Sequence, residues 1–152
     1  MTQTDILLPA LPTMILEQPP SDFQFGKRTE NEGNLVEDVA LKGKSKLFLD
    51  TFLREGESSV VGYTMLERAK EGAEKRGTRA GQLHAELMLV QKDKIPVEWR
   101  EFCLVFTGTV RRNSFGYIYV MCLYWHGVKW HRTWDYLSRH WRGGCRLVRF
   151  GK

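Results

Sequence analysis

The residues of this chain able to bind a metal or move a proton gather late: Cys122, His126, His131, Asp135 and His140. A structural zinc needs four converging Cys or His ligands at tight spacing. No CxxC or HxxxH pair exists here, and the three cysteines (Cys103, Cys122, Cys145) form no such pair, so no metal is expected. His131 and Asp135 sit on one face of a strand, two pairs apart, within reach of a shared ligand but not of each other. Metal-dependent nucleases need several carboxylates around a cation, and the region holds one Asp. With no nucleophile elbow and no phosphate-cradling glycine loop either, enzymatic activity and a cofactor are not expected.

The stronger chemical signal is positive charge beside aromatic rings. Residues 101–152 carry nine Lys/Arg against two acids, whereas residues 1–100 carry fourteen against sixteen. Such asymmetry fits a polyanionic or acidic partner and does not bear on the fold. Within the basic third, Arg111, Lys129, His131, Arg139, Arg142, Arg146 and Arg149 can meet phosphates, and Tyr124 and Trp141 can stack on unpaired bases. This set forms the predicted nucleic-acid-binding surface, for single-stranded or structured nucleic acid. It lacks an RNP motif, a zinc knuckle or a helix-turn-helix. The competing reading is a protein-interaction module, an inhibitor or adaptor presenting the same surface to an acidic protein or forming a homodimer. Trp99, Phe115, Trp141 and the N-terminal apolar arm are its candidate contacts.

A sheet must position these groups. From residue 102 onward the apolar period changes from helical to alternating. A two-residue turn at His126-Gly127 sets Leu123 opposite Trp130, Met121 opposite Arg132, and Cys122 beside His131. Pairing Arg112 with Tyr117 across "NSFG" puts Val110, Phe106 and Leu104 on the face of Tyr119, Met121 and Leu123. Both turns thus select the same apolar face, which makes most of the aromatic excess core. "CRLVRF" reads as a fourth strand at a protected edge, guarded by Arg146 and Arg149.

Upstream, "SKLFLDTFLRE" has helical contacts at i, i+4 and i+5. A second helix starts near Ser58 with Val61, Met65, Ala69 and Ala73 on one face, and a third follows Gly77 with Leu83, Leu87 and Val90 inward and His84 at the boundary. Pro96 starts a single helical turn. The predicted fold is α+β: a four-stranded antiparallel β-meander (about 101–150) packed against two to three helices (about 45–93), with an extended N-terminal arm. Residues 1–44 form that arm and a polar loop, and residues 45–152 a single α+β domain. The arm packs on its own domain in this reading, since terminal segments with this much Leu and Ile find their own core. Asp5, Pro9 and Pro12 argue against a signal peptide, and no apolar run reaches bilayer length, so a cytoplasmic chain without membrane contact is expected.

Overall fold

The computed structural model describes residues 10–24 and 33–151. Its elements in chain order are β1 (Met14–Leu16), β2 (Asn34–Glu37), β3 (Ser45–Asp50), β4 (Ser59–Val61), α1 (Gly62–Glu71), α2 (Ala73–Arg76), β5 (Thr78–Arg79), α3 (Gln82–Val90), β6 (Cys103–Arg112), β7 (Ile118–His126), β8 (Lys129–Tyr136), β9 (His140–Arg142) and β10 (Cys145–Phe150). Short 3-10 turns at Lys92–Lys94 and Val97–Glu101 join α3 to β6. The α+β class and the largely antiparallel sheet match the sequence reading. The four-stranded meander does not: the main sheet has eight strands, with a path β1-β3-β10-β6-β7-β8, β2 alongside β6 and β5 alongside β10.

Two departures explain the larger sheet. The segment Ser45–Asp50 is a strand, not a helix, lying between β1 and β10. Its consecutive Leu47, Phe48 and Leu49 fit a two-sided buried strand as well as a helix face. The chain also leaves the meander after β8. β9 pairs with β4 in a separate ribbon, and β10 returns to lie parallel to β6, with Cys145 beside Cys103 and Leu147 beside Val105. β10 is therefore interior to the sheet, not an edge.

The β7–β8 hairpin turns at Gly127-Val128, so His126 pairs with Lys129 and Trp125 with Trp130. Gly127 has φ +70°, which the first central residue of a type II′ turn requires. The predicted turn lay one residue earlier. Moving a two-residue turn by one position shifts the register by two, which preserves the faces. Trp130, Arg132, Trp134 and Tyr136 thus share a face with Trp125, Leu123, Met121 and Tyr119.

The β6–β7 pairing keeps its predicted face only in part. Phe106 pairs with Met121 and Val110 with Val120, so Thr107–Thr109 bulge out between them. Residues 79–82, from the end of β5 to the start of α3, hold the bulge open: Gly108 N donates to Ala80 O (2.8 Å), Arg79 Nη1 to Thr107 O (2.8 Å) and Gln82 N to Thr109 Oγ1 (2.7 Å). A Cβ on Gly108 would lie 2.5 Å from Arg79 O, so glycine is what lets the two backbones meet. Beyond the bulge the faces exchange. Val110 joins Val120, and Arg111 turns to the side of Tyr119.

Both faces of the sheet are covered. Ala85, Leu87 and Met88 of α3 pack on Leu104, Phe106, Met121, Leu123 and Trp130. On the other side Met65 and Ala69 of α1 pack on Val105, Val110, Val120, Cys122 and Leu147. Val90 of α3, expected inward, is exposed, and His84, expected at the boundary, is buried against Phe150 with ring centroids 4.5 Å apart. The N-terminal arm is tied down as expected where it is described. β1 pairs with β3, Trp99 Nε1 donates to Pro12 O (2.9 Å), and the Gln91 amide exchanges two hydrogen bonds with the Glu17 backbone. Trp99 is thus core and not a surface contact. Expectations resting on Asp5 and Pro9, and on loop residues 25–32, lie outside the described residues. Among the described residues no helix is long and apolar enough to cross a membrane.

Candidate nucleic-acid interface

α1 covers the half of its sheet face that holds Val105, Val120 and Leu147. Toward the Gly127 turn the same face carries a row of side chains across four strands. Cys145 on β10 sits beside Cys103 on β6. Because Leu104 pairs with Leu123, Cys103 falls at the level of Tyr124 on β7, and Tyr124 pairs with His131 on β8. The Tyr124 and His131 rings stack at 5.3 Å with 17° between planes. His131 Nε2 donates to His126 O (3.2 Å), which fixes the imidazole, and the His126 ring lies 6.1 Å away. Lys129, opposite His126, and Tyr124 (37% accessible) are exposed. At the far end of the row the Arg142 backbone hydrogen-bonds the Cys145 thiol, and the Arg142 side chain is exposed.

Four of the nine predicted residues, Tyr124, Lys129, His131 and Arg142, thus border one surface. Arg139 stands nearby, held by Asp135 at 2.7 and 2.9 Å. Arg146 points to the opposite face, over the Phe102 ring at 4.4 Å and bonded to the Gly143 and Cys145 carbonyls.

The other three are corrected from surface to interior. Arg111, turned inward by the bulge, donates from Nε and Nη2 to Gln82 Oε1 (3.1 and 3.0 Å) and from Nη1 to Gly33 O (2.8 Å). Arg149, wholly buried because β10 is an interior strand, donates to Asp50 Oδ2 (2.7 Å) and to the carbonyls of Ala69 and Gly77. Trp141 is buried in the β4–β9 ribbon and donates to Tyr136 O (3.2 Å).

Cys122 pairs with Thr133, not with His131, and no group of three or more His, Cys, Asp or Glu among the described residues could hold a metal ion. The hydrogen bond to Cys122, with burial, raises the Cys103 thiol above its ordinary range against the opposing bond from Cys145, and the bond to Cys103, with burial, raises the Cys145 thiol. Held protonated, they are weak nucleophiles as they stand.

A cavity of about 470 Å³ lies elsewhere, between the end of β3 and α1–α2. Its arginines are engaged internally: Arg68 with Glu57, Arg76 with Asp50 and Arg54 with Glu71. In the row near the turn Tyr124, His126 and Lys129 are exposed. His126 and Cys103 belong to that row and were not singled out as contacts from sequence; strand alternation with Tyr124 was the signal that could have found them. Comparison with protein-family models, curated proteins and solved structures finds no match to the chain.

Proposed function

We propose that this chain is a small non-enzymatic module that binds single-stranded or structured nucleic acid with the uncovered end of its sheet. The stacked Tyr124–His131 pair, flanked by His126 and Lys129 where α1 no longer covers the strands, carries the reading, with the exposed Arg142 at the other end of the row. Exposed rings beside cations suit splayed bases and their phosphates.

One observation favours a protein partner instead. At the opposite end of the hairpins Phe115 is 85% accessible, with Tyr117 also exposed. Fluorescence anisotropy with labelled single-stranded DNA, duplex DNA and RNA over a salt series separates the two. The expected result is micromolar or tighter binding with a steep salt dependence and a preference for unpaired bases. Absence of binding at low salt removes the nucleic-acid reading and leaves the Phe115 end as the site to pursue.

A further inference from the structure

The other face of the same hairpin tip holds a cavity of about 300 Å³, closed on its far side by the 3-10 turns before β6. Trp125 and Trp130 line it, their indoles edge to face at 5.8 Å and 73°. The Arg100 guanidinium lies 3.8 Å from the centre of the Trp125 ring, giving a flat, positively charged stack. Lys92 and Lys129 also line the cavity and are exposed, with Asp93 the one acid among the lining residues. Arg100, Lys92 and Lys129 form no ion pair among the described residues.

Three cations gathered around one carboxylate repel each other, and the site's surplus charge calls for an anion. An exposed apolar lip next to them, Val128 at 87% and Val97 at 63% accessibility, calls for a ligand with a flat apolar part. A cavity of this size is at the small end of ligand pockets, matched to one heterocycle and a phosphate more than to a peptide chain. We propose that it seats one unpaired nucleotide of a single strand, its base on the Arg100–Trp125 stack and its phosphate met by Lys92 and Lys129. This inference rests on the nucleic-acid reading above and adds to it a pocket on the second face of the hairpin, with Lys129 shared between the two. Bases within a duplex cannot offer their faces, so the pocket selects single strands.

The test is anisotropy with labelled oligo-dT and a duplex control, together with quenching of tryptophan fluorescence by thymidine monophosphate. Wild type, Arg100→Gln and Trp125→Leu are compared after circular dichroism has verified folding. Each variant should weaken oligo-dT binding roughly five- to a hundredfold, the loss of one stacked base, leave the duplex unaffected and abolish the quenching. Arg100 is exposed, so Arg100→Gln carries the test even where Trp125→Leu fails to fold. Wild-type binding with undiminished oligo-dT affinity in Arg100→Gln overturns the pocket and leaves the Tyr124 face standing. Failure of the wild type to bind any nucleic acid overturns both. A tryptophan-containing polyglutamate peptide that displaces oligo-dT and binds more tightly assigns the pocket to a protein segment and overturns the nucleotide.

Discussion

Asp50→Ala removes a carboxylate shared by one buried and one exposed arginine. Its Oδ2 accepts from Arg149 Nε at 2.7 Å and from Arg76 Nε at 2.8 Å. Burial raises the Asp50 pKa, but the bonds from Arg149 and Arg76 outweigh it and hold the carboxyl below its ordinary range. After the substitution Arg149 keeps the Ala69 and Gly77 carbonyls. Its Nη2, already without a hydrogen-bond partner among the described residues, is joined by an unpaired Nε in a wholly buried side chain. Stripping one partner from a buried ion pair costs about 3–5 kcal/mol. Arg76→Ala breaks the other bond to the same oxygen, but Arg76 is half exposed and such pairs contribute about 0–1 kcal/mol. At this chain length about 1 kcal/mol moves the melting temperature by about 2–4 °C. Thermal melts at pH 7 followed by circular dichroism should therefore place Asp50→Ala about 6–20 °C below the parent and Arg76→Ala within about 4 °C of it. Equal losses in the two variants, or an Asp50→Ala loss below about 1 kcal/mol, refute the claim that the buried guanidinium sets the scale. A binding screen must be interpreted accordingly: lost affinity in Arg149→Ala reports damage to this network and not a missing phosphate contact.

The remaining predictions concern pH, the bulge and the ligand. Burial lowers the His84 pKa to about 4, against about 6.5 when unfolded, so the unfolded state binds the proton first; stability should fall as pH drops from 6.5 to 4, by about 3 kcal/mol in all. Urea titrations across that window check this, and a profile that stays flat down to pH 4.5 places His84 in contact with solvent. Gly108→Ala should cost about 1–3 kcal/mol by driving a methyl into the Arg79 carbonyl, and a neutral result in urea denaturation means that the bulge relaxes freely. In anisotropy titrations Tyr124→Ala should weaken oligonucleotide binding by about 1–3 kcal/mol at every salt concentration, whereas Arg142→Ala should flatten the salt slope by about 1. A Tyr124→Ala variant that alters only the slope removes stacking from the mechanism.

What the sequence disclosed follows from the range of the interactions involved. The faces of the β7–β8 hairpin were legible because alternation survives a one-position error in the turn, and Tyr124, Lys129 and His131 were placed on one face for that reason. The exchange of faces at Thr107–Thr109 was not legible, since its cause is a wedge from residues 79–82. Nothing local in "FTGTVRR" distinguishes a continuous strand from one bulged by a distant segment, and so Arg111 was placed outside. The return of β10 to lie parallel to β6 is equally non-local. An interior strand and an edge strand can both carry alternating arginines, and only the position of Asp50 on β3 reveals that Arg149 is paired and buried.

These corrections change what the basic C-terminal third signifies. Part of its surplus charge is internal: Arg111 holds Gln82, and Arg149 holds Asp50 and the end of α1. Another part is neutralised at the surface, Arg132 by Glu86 and Arg139 by Asp135. The cations left for a polyanion near the turn are Lys129 and Arg142, joined by Lys92 and Arg100, which precede the basic third altogether. Net charge by segment thus counted several arginines that are not available at the surface. Lys92, Arg100 and Lys129 meet at the tip of the β7–β8 hairpin, where rings lie on both faces. A ligand that unstacks its bases can use both faces at once, and a duplex can use neither pocket nor stack. Single-strand preference is therefore the property on which the binding proposal stands or falls.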